Sequence, residues 1–253
     1  MGILDVRNCT KTFGGLVAVN DLNLSLNPGE LYGLIGPNGA GKTTIFNLIT
    51  GVYTPDDGLI ELDGKPIQRL KPSTIARLGM SRTFQNIRLF QTMTVLENVK
   101  LARQMHMKQS LFDAVIRTHH LKEEEDEIEH DSLDLLKIFN LDKRAYELAL
   151  SLPYGSQRRL EIARALATHP KVLLLDEPAA GMNPQEAIEL MHLIKRSRDE
   201  FHITVLLVEH NMKVVMGVCE KIQVIDYGET IAVGTPKEIQ DNPKVVEAYL
   251  GGA

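Results

Sequence analysis

Nine consecutive residues, Gly36-Pro37-Asn38-Gly39-Ala40-Gly41-Lys42-Thr43-Thr44, fit the pattern G-x-x-x-x-G-K-[ST]. Its chemistry is anion binding. The glycines let the backbone fold tightly around a phosphate and turn several N–H groups toward it. Lys42 supplies a full charge for the β- and γ-phosphates, and the Thr43 hydroxyl suits Mg²⁺. A second constellation is Leu173-Leu174-Leu175-Asp176-Glu177, an apolar run that ends in two carboxylates. Asp176 can hold Mg²⁺ there, directly or through water. Glu177 can accept a proton from an attacking water, or align it. The two constellations together point to binding and hydrolysis of a nucleoside triphosphate.

These groups need elements to hold them. Residues 30–35 read as a short buried strand, and Ile45, Leu48 and Ile49 recur at helical spacing over 42–50. Strand, glycine loop and helix thus follow in the order that puts a helix N-terminus against the phosphate. In a parallel sheet, ligands gather at the carboxyl ends of strands, where Asp176 and Glu177 fall. Before the loop, 17–19 and 22–26 read as strands separated by a turn at Asn20-Asp21, and Asn27-Pro28-Gly29 forms the next turn. Residues 58–64 read as a strand between glycines, and 72–78 as a short helix with Pro72 early in it. From Thr94 to about Leu150 the pattern is helical. The α/β pattern resumes with a helix over 156–168, a strand over 172–175, an amphipathic helix over 184–198 and a strand over 203–208. On that amphipathic helix Ile188, Met191 and Ile194 share one face, with Leu190 and Leu193 beside it. Residues 222–225 and 230–233 flank Tyr227-Gly228-Glu229, a hairpin signal. The expected class is α/β with a mainly parallel core sheet, and the N- and C-terminal hairpins predict an added antiparallel layer.

Bulk properties narrow the function. A chain of 253 residues can bury a full core. Its net charge of −5 argues against a broad basic face for nucleic acid. Cys9 and Cys219 form no C-x-x-C and read as small buried residues in a reducing compartment. The first seven residues lack a long apolar stretch, so no signal peptide is expected, and no run is long enough to span a membrane. The acidic run at 123–129 reads as a solvated helix face or loop.

Four further features complete the set. Leu152-Pro153-Tyr154-Gly155-Ser156-Gln157 is a glycine-bearing turn opening a helix, whose N–H groups form a second anion site. Gln85 follows the strand-like 80–84, His210 follows the strand 203–208, and Phe13 precedes the second strand. In this order the motifs resemble the ATPase subunits of ABC transporters, over about residues 3–250. The resemblance implies a P-loop NTPase core of the RecA-like kind (3–93 and 157–253) with an N-terminal antiparallel β layer. An α-helical subdomain would be inserted at about 94–156, all within one ABC-type domain, 3–253. It implies that Phe13 stacks on adenine and that residues 36–44 form Walker A. Gln85 would touch Mg²⁺ and sense a membrane partner. Residues 152–157, with Pro153, Gly155 and Gln157, would be the signature that meets ATP. Asp176 ends Walker B, Glu177 is the catalytic base, residues 180–183 are the D-loop, and His210 contacts the γ-phosphate.

A narrower resemblance, to the LivG-type ATPases of branched-chain amino-acid importers, rests on four stretches. They are residues 13–19, Arg82-Thr83-Phe84-Gln85, Arg88-Leu89-Phe90, and Glu177-Pro178-Ala179-Ala180-Gly181-Met182-Asn183-Pro184. The helical insert near 103–130 and the ending Ala248-Tyr249-Leu250-Gly251 add to it. The resemblance implies ATP and Mg²⁺ as cofactors and a second ATPase chain across an ATP sandwich. It further implies permease subunits docking near Gln85, and a peripheral place on the cytoplasmic face of the inner membrane. Urea and amide importers use closely similar ATPases. A soluble ATPase of a scaffold such as iron–sulfur cluster assembly shares fold and size, whereas a DNA-repair ATPase would need a coiled coil longer than 94–150. Two positions depart from the family: Pro153 stands for the usual signature serine and removes both hydroxyl and N–H, and Asn183 stands for the usual D-loop aspartate.

Overall fold

A computed structural model describes residues 2–106 and 119–250. The strands are β1 (Leu4–Phe13), β2 (Leu16–Leu26), β3 (Leu31–Ile35), β4 (Asp57–Leu62), β5 (Lys65–Pro66), β6 (Met80–Arg82), β7 (Val172–Asp176), β8 (Thr204–Val208), β9 (Lys221–Asp226) and β10 (Glu229–Gly234). The helices are α1 (Lys42–Ile49), α2 (Pro72–Arg77), α3 (Val95–Arg103), α4 (His119–Ile138), α5 (Tyr154–Leu166), α6 (Pro184–Phe201), α7 (Met212–Val218), α8 (Pro236–Gln240) and α9 (Pro243–Leu250). The chain forms two compact units, Met1–Arg82 with Lys171–Ala253, and Thr83–Pro170. Among the described residues no helix is long and apolar enough to cross a membrane.

The first unit carries two sheets. One is antiparallel, in the order β2-β1-β4-β5; the other has six strands, in the order β10-β9-β3-β8-β7-β6. In the larger sheet every pairing is parallel except β9 with β10. Its central strands β3, β7 and β8 are buried at every position, as strands covered on both faces must be, and their sequences are correspondingly near-continuous apolar runs. Helix α1 contributes Ile45, Phe46, Leu48 and Ile49 to a buried cluster. The same cluster holds Leu4, Val6 and Ile60 of the antiparallel sheet and Leu34, Leu174 and Leu206 of the larger one. The loop that opens α1 is therefore anchored in the core.

Two sequence expectations change. The C-terminal hairpin is an edge of the six-stranded sheet and does not join an antiparallel layer. Asn20-Asp21 is not a turn: β2 runs through it as one strand. Asp21 (φ 47°) and Asn8 (φ 49°) both take the left-handed conformation there, and the Asn8 amide donates to the Asp21 carboxylate at 2.8 Å. The register of β1 against β2 shifts beside this pair, so residues that usually make turns here make bulges.

In the second unit α3 packs against α4 and α5. Thr94 and Glu97 form a reciprocal capping box that starts α3. Buried Asn98 ties the preceding loop to α3 by accepting from Phe90 N–H and donating to Phe90 and Thr94 carbonyls. The unit reaches beyond the expected 94–156 on both sides, because side chains of α5 bind the backbone of residues 84–88 and draw 83–93 and 157–170 together. Part of the insert near 103–130, namely 107–118, lies outside the described residues.

Candidate functional site

The glycine loop joins β3 to α1. Gly41 sits at φ 102°, and a Cβ there would come 2.5 Å from the Ala18 carbonyl oxygen. Gly36 lies so close to the Ile225 carbonyl that a side chain would collide with it. The loop is thus pressed against β2 and the β9–β10 hairpin, and the Gly228 N–H donates to the Ala40 carbonyl at 3.0 Å. Pro37, Asn38, Gly39 and Ala40 line one side of a cavity of about 850 Å³ that Asp226, Lys244 and Glu247 also border. Lys42 is buried, and its Nζ donates to the carbonyls of Gly36 and Pro37, both at 2.7 Å. Burial lowers its pKa, and the negative charges of Glu177 and Asp176 pull it back up. The ammonium therefore shares an electrostatic neighbourhood with both acids. Thr43, in the first turn of α1, is exposed, and Thr44 is half-buried.

Asp176 is the last residue of β7 and is 6 % exposed. It accepts a hydrogen bond from Arg82 at 3.0 Å, and Arg82 also donates to Asn47 of α1 at 2.7 Å. Glu177 follows with φ 46°, a strained conformation for a non-glycine residue and one that clusters at functional sites. Its N–H donates to the Val208 carbonyl at 2.9 Å, which fixes it beside the end of β8. His210 Nδ1 lies 3.6 Å from the Glu177 carboxylate, on a largely exposed ring. The structure thus brings Lys42, Asp176, Glu177 and His210 together at the carboxyl ends of β3, β7 and β8. Phe13 stands apart on the antiparallel sheet, as the last residue of β1. Its half-exposed ring meets Tyr53 edge-on at 5.2 Å, with Lys11 Nζ 5.5 Å from its centroid.

Gln85 and residues 152–157 belong to the second unit. Gln85 is exposed. The expected turn at 152–157 is the first turn of α5 itself: Pro153 is the N-cap, and Gly155 and Gln157 are already helical. Pro153 makes no side-chain cap hydrogen bond to this turn. The Gln157 amide donates to the Leu152 carbonyl at 2.9 Å, so this side chain braces the turn. Asn183 caps α6, accepting from the Glu186 N–H at 2.9 Å. Asn serves there as well as Asp would.

Three contributors were not singled out from sequence. Arg82 was visible only as part of a motif, with nothing to predict its pairing with Asp176. Tyr53 gave no signal before Phe13 was seen against it. Glu209 looked like a spacer before His210. It is 1 % exposed in its side chain and accepts from the N–H groups of Ala179 at 2.8 Å and His210 at 3.2 Å, tying the loop after Glu177 to the loop carrying His210.

A phosphate loop after β3, two acids at the end of β7 and a histidine after β8 mark a nucleotide-hydrolysing cassette, and residues 19–180 match the family model described as ABC transporter. The chain belongs to the ABC transporter family, as one of its ATP-binding, ATP-hydrolysing subunits. It is 48% identical to the high-affinity branched-chain amino acid transport ATP-binding protein BraF of Pseudomonas aeruginosa, over 99% of this chain and 98% of that one. It is 46% identical to the LivG protein of Escherichia coli K12, described in the same words, over the same shares. Residues 229–253 match a second model, branched-chain amino acid ATP-binding cassette transporter. The solved ADP conformation of an ATP-binding cassette of an ABC transporter superposes with a TM-score of 0.85 at 32% identity, covering 99% of each chain.

Proposed function

We propose that this chain energises the uptake of branched-chain, hydrophobic amino acids through separate integral membrane permeases, at the cytoplasmic face of the inner membrane. The observation that carries this reading is the end-to-end likeness to BraF and LivG. Residues 3–253 act as one ABC-type ATPase domain. This chain and a related but distinct one sandwich ATP, so that 152–157 faces the partner's phosphate loop and the partner's signature faces 36–44. Phe13 stacks on adenine. The backbone N–H groups of 36–44 and the charge of Lys42 hold the phosphates, and His210 faces the γ-phosphate. Glu177 takes the proton of the attacking water. Thr43 and Asp176 offer oxygen donors, the kind a hard ion such as Mg²⁺ takes, and would hold it, while the permease subunits dock near Gln85. When bound, that ion neutralises charge on the transferring phosphoryl group. Positioning and charge stabilisation contribute more than proton transfer does.

The test is reconstitution with the permease subunits in proteoliposomes, following ATP-driven leucine uptake beside urea uptake. Leucine uptake is expected. Glu177→Gln is expected to abolish it and to lower hydrolysis by ~10²–10⁴ while ATP binding survives. Urea uptake in place of leucine would overturn the substrate class. Failure to assemble with any membrane subunit would favour a soluble scaffold ATPase. Normal turnover in Glu177→Gln would remove Glu177 as the base.

A further inference from the structure

Arg158 is the largest fully buried side chain among the described residues, at 0% exposure. A guanidinium without water must find its partners in the protein, and those found here lie in two places. One terminal nitrogen donates to the Phe84 carbonyl at 2.7 Å and to Glu161 at 2.8 Å. The other donates to the Gln85 carbonyl at 2.7 Å and to the Tyr154 hydroxyl at 3.3 Å. Glu161, itself 2% exposed, uses its second oxygen to accept from the Arg88 N–H at 3.1 Å. Both members of the pair therefore stand on α5 and grip the backbone of 84–88. The planar fork of Arg serves four acceptors from two separate nitrogens, whereas a lysine has three donors on a single nitrogen.

The pair sits one turn into α5, directly after the stretch 152–157. It thus joins the backbone that presents Gln85 to the helix that presents Pro153 and Gly155. A buried ion pair is weak ground for stability, since apolar residues of similar volume often serve as well or better. A role in holding position accounts for it here.

We infer that Arg158 is a positioning residue that locks the Gln85 segment to the first turn of α5, so that the two move as one piece when permease subunits displace 84–88. This rests on the reading of Gln85 and 152–157 given above. The Gln85 side chain then acts on hydrolysis only while Arg158 holds the Gln85 backbone in place against α5.

The experiment is a mutant cycle on ATP hydrolysis by the full chain assembled with its membrane subunits, separating kcat from KM for ATP. Arg158→Met/Glu161→Leu removes both charges together, so that neither is left buried alone. Arg158→Lys keeps the charge and loses the fork. Gln85→Ala is placed in each background. The link predicts that the double variant lowers kcat about tenfold with KM within about twofold of native. It also predicts that adding Gln85→Ala then costs no more than about twofold further, because residues acting as a unit are not additive. Arg158→Lys is expected to show the same pattern more weakly, and it carries the test if the double variant does not fold. Multiplying effects, or a native kcat in both variants, would overturn the link. If Gln85→Ala changes nothing in the native chain, the reading of Gln85 falls first and takes the link with it.

Discussion

Glu209 spends its carboxylate on three backbone N–H groups, those of Ala179, His210 and Asn211, yet burial still raises its pKa above the ordinary glutamate value. The sign of the consequence follows. A carboxyl with a raised folded pKa binds more protons folded than unfolded, so its contribution is fully present below about pH 4.5 and is lost as pH rises through the folded value. Glu209→Gln cannot ionise. Its thermal midpoint relative to wild type is therefore expected to rise between pH 4 and pH 7, whatever fixed offset the substitution brings. A relative fall over that range would mean that the N–H donors outweigh burial. The residue itself was not legible in the sequence: its partner Ala179 lies on a loop thirty positions away, and single-residue spacing carries no record of such a contact. Lys42 was legible from its glycine pattern, and Asp176, Glu177 and His210 because an apolar strand run ends at or just before them. Arg82 and Arg158 were not, because what singles them out is the carboxylate or carbonyl that each meets, and neither motif nor periodicity encodes that.

At the scale of elements, the loop 36–44 is held by a backbone conformation and by close neighbours at once. Gly41 combines φ 102° with a Cβ position 2.5 Å from the Ala18 carbonyl oxygen. Backbone in such a region costs an L residue roughly 1–3 kcal/mol, and the collision adds to that because its partner is backbone. Gly41→Ala is expected to lower the unfolding free energy by that order and to weaken ATP binding, since the turn opening α1 must shift. Equilibrium unfolding and nucleotide titration check both, and native behaviour in each would mean the loop is far softer than its contacts imply. Strands β3, β7 and β8 were legible because strands buried on both faces leave only apolar residues to choose from. The continuity of β2 through Asn20-Asp21 was not, because the same residue types make a turn or a bulge, and only pairing with β1 decides which. The start of α5 was missed by two residues for a related reason: Pro153 and Gly155 read as a turn, but Pro is well suited to the edge of a helix whose first N–H groups have no intrahelical partner anyway.

For the whole molecule, the consequential position is Pro153, since in the sandwich proposed above 152–157 would complete the ATP site of the partner chain. Pro153 is the N-cap of α5 with φ −56° and ψ 152°, and its side chain makes no cap hydrogen bond. It has no hydroxyl and no N–H to offer a phosphate. The first-turn N–H groups of α5 and the partial positive charge at its N-terminus remain for that purpose. A hydrogen bond to a charged group is worth roughly 1.5–3 kcal/mol, so on that proposal the opposite site would be weakened without being silenced. Pro153→Ser restores a hydroxyl and, independently, a helix cap worth about 0.5–2 kcal/mol to the chain's own stability. The two effects separate by where they are read. The cap raises the melting midpoint of the isolated chain. The hydroxyl raises ATP-driven association or turnover only in the assembled pair, at the site that holds the partner's loop lysine. Measuring hydrolysis of the Pro153→Ser complex with that lysine intact and then inactivated assigns the gain: it should vanish with the partner lysine and survive inactivation of Lys42. A gain that follows Lys42, or no gain with a raised melting midpoint, would mean that the backbone of α5 alone serves the opposite site and that the two sites are not made unequal by this proline.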